Sequence, residues 1–173
     1  MYTPDELSIP QGDSFLKKNK KICFFTSHLN EPRKSIYDTL KKNFQIDGFG
    51  PYFDKNIYNH NSSNFMKIDI MKNYRFNLCP HNALYPGYYD EKIPDAFVAK
   101  TLPITWCDSN VDIDFNNSAF INLYNFCKLD YRELTSILND EGFLKKYAKE
   151  PLILNKINLE KESEFIEKIL KNF

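Results

Sequence analysis

Four short apolar runs, separated by longer stretches with helical spacing, constrain this chain more than any other feature. They are Lys21–Ser27 (KICFFTS), Tyr74–Cys79 (YRFNLC), Leu102–Trp106 (LPITW) and Ala119–Leu123 (AFINL). Each has the length and composition of a buried strand. After the first, Pro32 opens a stretch with Ile36, Tyr37, Leu40 and Phe44 at helical spacing, proline being suited to a first turn. Phe65 to Lys72 has weaker helical spacing, and Asp90 is placed to cap a helix running through Ile93, Phe97 and Val98. Strands alternating with helices predict a Rossmann-like α/β fold, a mostly parallel sheet with helices on both faces. Ligands in such folds bind outside the carboxyl ends of the strands, so the loops after Ser27, Cys79 and Trp106 are expected to share that edge. Beyond the fourth run, helical periodicity covers Tyr131–Leu138, Glu141–Lys149 and Leu159–Leu170. Gly48-Phe49-Gly50-Pro51 reads as a turn and Asn56–Asn64 as an exposed loop. Residues 1–20 are polar, hold two prolines and a glycine and lack apolar periodicity, which predicts a lead-in or linker remnant before a domain spanning 21–173.

A length of 173 residues suits one core, and 42% hydrophobic with 27% charged residues excludes both a disordered chain and a membrane-embedded one. Lysine plus arginine equals aspartate plus glutamate at 23 each, which removes the broad positive field of a nucleic-acid binder. Any phosphate site must therefore be local. Cys23, Cys79, Cys107 and Cys127 lie far apart beside apolar neighbours with no C-x-x-C spacing, the pattern of buried thiols. Asp5 and Glu6 stand where a signal peptide would be basic, so a cytoplasmic location is expected. His28, His60 and His81 show no metal-ligand spacing, and neither a protein-held metal nor a resident cofactor is expected.

At the strand edge a diphosphate would call for fixed cations. Lys92 opens the predicted helix, where it opposes the helix dipole unless an anion is bound nearby. Glu91 beside it is of the type that accepts both hydroxyls of a ribose. Arg33 follows the first strand, and arginine matches phosphate oxygens bidentately. Asn82, Tyr85, Tyr88 and Tyr89 crowd one loop and offer hydrogen bonds and a stacking surface. On spacing alone the plainer readings hold the advantage: Glu91 complements the dipole, Lys92 and Arg33 are solvated, and the tyrosines pack their loop.

Four segments shift that balance. Lys67–Asn82 (KIDIMKNYRFNLCPHN) resembles the K-I-x-x-x-x-x-Y-K-F-N-L-C-F-E-N segment of the α-1,3/4-fucosyltransferases of the bacterial Lewis-antigen type, glycosyltransferase family 10. Gly87 to Ile93 (GYYDEKI) is similar to that family's G-Y-V-T-E-K-I. Ala96–Trp106 resembles its A-x-x-x-x-x-x-P-I-Y-W strand, and Asp114-Phe115-Asn116 with Ser118–Phe126 its D-F-N-x-x-S-F-V-N-V-x-D-F stretch. Upstream, Cys23 to Arg33, Leu40 and Asp47 keep the family's spacing of strand, loop, arginine and leucine. The resemblance covers Lys21 to Phe126.

It implies the C-terminal, donor-binding half of a GT-B glycosyltransferase that uses GDP-fucose as donor substrate and transfers fucose with inversion to an N-acetylglucosamine-containing glycan. It further implies that Glu91 binds the ribose hydroxyls, Lys92 and Arg33 the diphosphate, Tyr88 the phosphate region and Asn82 the neighbourhood of the donor. Two departures fall at this site: His81 replaces the glutamate of F-E-N, and Cys107 replaces a glycine after the tryptophan, where its side chain is expected to narrow the room for a ligand. The domain that carries the acceptor site and general base is not expected within this sequence. The chain is accordingly read as a fucosyltransferase piece with little activity alone, with a non-catalytic nucleotide-sugar-binding module, one subunit of a split enzyme, or a self-associating half as alternatives.

Overall fold

The computed structural model describes residues 2–53, 64–126, 131–154, 164 and 167–171. Its framework is a five-stranded sheet, every pairing in it parallel: β1 (Lys20–Phe25), β2 (Ile46–Phe49), β3 (Tyr74–Leu78), β4 (Leu102–Thr105) and β5 (Ile121–Asn122), in the order β2-β1-β3-β4-β5. Cys23 at the centre of β1 stands opposite Asp47 on one side and Asn77 on the other. Strands covered on both faces carry continuous apolar runs rather than alternation, as the burial of all four residues of β4 shows. Pro103 fits inside β4 because Ile104 turns its carbonyl to the Cys79 N–H of the β3 side. Neighbouring Pro103 therefore faces the β5 side, where pairing begins only opposite Ile104.

The helices that pack around the sheet among the described residues are α1 (Pro4–Leu7), which lies against α4, α2 (Arg33–Leu40), α3 (Asn64–Met71), α4 (Lys92–Val98), α5 (Tyr131–Asn139) and α6 (Glu141–Ala148). On one face Ile22, Phe24, Phe76, Leu78 and Ile104 pack against Ile36 and Leu40 of α2 and Leu134, Leu138 and Leu144 of α5 and α6. On the other, Cys23, Tyr74 and Phe49 meet Ile68 and Met71 of α3 and Ala96 of α4, while Ile93, Phe97, Val111 and Phe120 form an adjoining cluster. The alternation of Ile22, Cys23 and Phe24 between the two cores is the period-2 geometry of a strand. This is the Rossmann-like arrangement expected of the sequence. No helix among the described residues is long and apolar enough to cross a membrane.

Three expectations need correction. The Gly48–Pro51 turn begins two residues too early, because Ile46–Phe49 is a strand whose parallel ladder with β1 outweighs the low strand propensity of Asp47 and Gly48. The fourth run is mostly not strand: only Ile121 and Asn122 pair, flanked by 3-10 turns at Asn117–Ala119 and Leu123–Asn125. Residues 2–20, part of the expected lead-in, belong to the packed body. Thr3 and Glu6 close a capping box on α1, and Phe15 is wholly buried in the sheet core beside Leu16. The Leu7 carbonyl accepts from the Leu152 and Ile153 N–H groups. The expected loop at 56–63, most of the expected helix at Leu159–Leu170, His60 and Cys127 lie outside the described residues.

Candidate functional site

At the carboxyl edge of the sheet lies a cleft of about 250 Å³, lined by Phe25, Thr26, Ser27 and His28 after β1, Gly50 and Pro51 after β2, and Asn82 beyond β3. Arg33 of α2, Lys67 of α3, and Glu91 and Lys92 at the start of α4 complete the wall. Four of the five residues singled out from sequence, Arg33, Asn82, Glu91 and Lys92, thus converge on one cleft although 59 positions separate the first from the last. The fifth, Tyr88, stands beside it, its hydroxyl accepting from Asn82 Nδ2 at 3.4 Å. The loop after Trp106 shares the edge through the His81 N–H to Trp106 carbonyl bond of 3.0 Å, without reaching the cleft wall.

Arg33 is anchored rather than free to sweep through solvent. Its guanidinium donates to Thr26 Oγ1 at 3.1 Å and to the His28 carbonyl at 2.5 Å. Partial burial draws its pKa below the usual arginine value, with Tyr88 and Asp90 opposing, and it stays charged. Lys92 is ion-paired with Asp90, whose other carboxylate oxygen accepts the Lys92 backbone N–H at 3.1 Å. The N-cap of α4 is Glu91, which makes no side-chain cap, so the expected cap at Asp90 falls one residue early, although Asp90 does accept the Lys92 N–H at the helix start. Burial pushes the Asp90 carboxyl up, but the hydrogen bonds and charge of Lys92 outweigh it and leave the group below the ordinary aspartate value.

Lys67 entered the reading of the sequence only as the first residue of the Lys67–Asn82 segment, with no site role. Its ammonium reaches the cleft wall while donating to Asp95 Oδ2 at 2.6 Å and lying 3.9 Å from Glu91 Oε1. Asp95, fully buried in α4, also accepts from the Tyr2 hydroxyl at 2.5 Å. The signal was a lysine between Met66 and Ile68 on a helix that must bury one face, a position that needs a carboxylate partner. Gly50 was equally legible only in part. Its φ of +100° and a hypothetical Cβ 2.6 Å from the Thr26 carbonyl explain why no side chain stands there.

Of the two departures, His81 puts a neutral side chain at its position, whereas Cys107 does not narrow the cleft as expected. Cys107 packs with Ile93, Phe97, Val111 and Phe120 beneath the edge, so its side chain takes no room from the cleft, and burial pushes its thiol up to about 11. His81 is buried, its ring edge-on to Tyr88, and burial lowers its pKa to about 4, which keeps it neutral at physiological pH. Among the described residues no group of three or more His, Cys, Asp and Glu side chains is arranged to hold a metal ion.

The arrangement is one for holding a polyanion with a hydroxyl-bearing neighbour. Three cations, Arg33, Lys67 and Lys92, line the cleft, and a half-exposed carboxylate, Glu91, lies 3.9 Å from Lys67. The chain is similar to known proteins that use such ligands. Over 128 residues it is 33% identical to an alpha-(1,3)-fucosyltransferase of Helicobacter pylori, covering 73% of this chain and 26% of that one. It superposes on a solved alpha1,3-fucosyltransferase with GDP-fucose at a TM-score of 0.73, 27% identical, covering 90% of this chain and 48% of the other. An alpha1,3-fucosyltransferase structure with GDP matches at 0.76, 27% identical, over 91% and 48%. The chain thus spans about a quarter of the length of the bacterial relative and about half of the solved chains. The pattern described as glycosyltransferase family 10 (fucosyltransferase) C-term matches residues 15–149, and the chain belongs to that family.

Proposed function

We propose that this chain is the donor-binding part of an inverting fucosyltransferase and takes GDP-fucose in the cleft at the carboxyl edge of its sheet, fucose then passing to an N-acetylglucosamine-containing glycan. The observation that carries the proposal is the convergence of Arg33, Asn82, Glu91 and Lys92 on one cleft, in a chain whose fold matches a fucosyltransferase solved with GDP-fucose. In this reading Arg33 and Lys92 take the diphosphate, Glu91 accepts the ribose hydroxyls, and Tyr88 with Asn82 borders the phosphate and the sugar. As the bond from fucose to phosphate breaks, negative charge gathers on the departing GDP. Arg33 is already held by Thr26 and His28, so its charge is in place before the reaction and costs no reorganisation during it. A cytoplasmic setting is part of the same proposal, motivated by Cys23, Cys79 and Cys107 being free buried thiols.

Isothermal titration with GDP-fucose, GDP-mannose and GDP tests this. GDP and GDP-fucose are expected to bind, and Arg33→Ala, Glu91→Ala and Lys92→Ala each to weaken them by about tenfold or more, the loss typical of one charge-assisted contact. Absence of any guanine-nucleotide binding at millimolar concentration overturns it.

A further inference from the structure

Lys92, assigned above to the diphosphate, is engaged before any ligand arrives. Asp90 holds it from both directions, one carboxylate oxygen on the side-chain ammonium and the other on the backbone N–H. On its other side Asp90 Oδ1 lies 3.7 Å from Nδ1 of the buried His81.

Asp90 changes the charge met by an incoming polyanion. Around the cleft three cations, Arg33, Lys67 and Lys92, stand against three carboxylates, Asp90, Glu91 and Asp95. Asp95 is committed to Lys67 and Glu91 to the outer wall. Asp90 is the one that competes with phosphate oxygens for the same lysine, and its charge is felt at Arg33 as well. His81 is neutral and offers no cation to receive Asp90 once Lys92 leaves it.

We propose that Asp90 is an affinity- and specificity-determining residue of the donor site: an internal anion that occupies Lys92 in the empty cleft and must give it up to a nucleoside diphosphate. The inference rests on the diphosphate reading of Arg33 and Lys92. It follows that the wild-type chain discriminates weakly between GDP and guanosine, because much of what the phosphates gain from Lys92 is lost in parting Lys92 from Asp90 and in placing phosphate beside an unpaired carboxylate.

The test is calorimetry of GDP and guanosine on wild type, Asp90→Thr and Asp90→Asn. Asparagine keeps a cap for the Lys92 N–H, so the second variant retains α4 should threonine not. Both variants are expected to bind GDP about tenfold more tightly than wild type with guanosine unchanged, one removed charge conflict corresponding to a factor of that order. A gain in affinity does not arise from damage to the fold. GDP affinity that is unchanged or weaker overturns the inference while leaving the donor-site reading intact, and so does an equal gain for guanosine. GDP binding to none of the three proteins overturns the diphosphate reading and this inference with it.

Discussion

The Lys67 ammonium lies 2.6 Å from the Asp95 carboxylate, and both side chains are almost wholly removed from water. Such a pair spans α3 and α4 beneath the cleft and is costly to break from one side, because the survivor is a buried charge without its counterion. Lys67→Met is expected to destabilise the chain by about 3–5 kcal/mol. Replacing both partners, as Lys67→Met with Asp95→Leu, is expected to cost far less, because no charge is left stranded. Urea denaturation of the two proteins checks this; equal destabilisation would show that the pair itself, not the orphaned charge, sets the cost.

His81 makes stability depend on acidity. Burial holds its folded-state pKa at about 4, against roughly 6.5 for an exposed histidine. Above pH 6.5 it is neutral in both states and adds no slope. Between 6.5 and 4 the unfolded chain takes up a proton that the folded chain refuses, so stability falls as pH falls through that window. The loss attributable to this one residue approaches about 3 kcal/mol by pH 4. His81→Phe is expected to flatten the difference between unfolding free energies measured at pH 7 and pH 4.5; a slope identical to wild type would assign the acid sensitivity elsewhere.

Gly50 joins a left-handed backbone angle to a close approach, its hypothetical Cβ 2.6 Å from the Thr26 carbonyl on the cleft wall. Gly50→Ala must strain the angle and part the ends of β1 and β2, at an expected cost of about 1–3 kcal/mol. The loss should appear both as a lowered thermal midpoint and as weaker GDP binding. A midpoint shift without any change in binding would detach this glycine from the site.

Lys100 is the converse case. It holds φ at +53° where α4 ends in a Schellman turn, with the Thr101 N–H on the Ala96 carbonyl and the Lys100 N–H on the Phe97 carbonyl, both at 3.0 Å. Glycine adopts that angle without penalty, so Lys100→Gly is expected to stabilise by up to about 1 kcal/mol and raise the melting temperature by roughly 2–4 °C. Differential scanning calorimetry decides it.

How far these features were legible in the residues differed with the kind of signal. β1, β3 and β4 announce themselves because strands covered on both faces are unbroken apolar runs, and α4 because Asp90 and Pro94 mark its first turn. β2 was hidden: Ile46-Asp47-Gly48-Phe49 has no local strand character, and only the neighbouring β1 backbone makes it one. The opening segment carried a readable mark that a lack of periodicity obscured, the Thr3-Pro4-Asp5-Glu6 capping box. Arg33, Asn82, Glu91 and Lys92 became a site only when segments far apart were considered together, since each alone is an ordinary surface residue. The place of Lys67 between Met66 and Ile68 marks a lysine in need of a carboxylate, but which one, 28 positions away, only the structure tells.

α4 is gripped along its whole length. Lys18 donates to the Ala99 and Lys100 carbonyls at 3.2 and 2.5 Å and to Thr101 Oγ1 at 2.9 Å at one end, and Tyr2 and Lys67 hold Asp95 near the other. The helix that presents Glu91 and Lys92 therefore cannot tilt or fray without breaking contacts made by residues 2 and 18. A ligand arriving at this wall meets backbone that is already held in place, so association should forfeit little conformational entropy there.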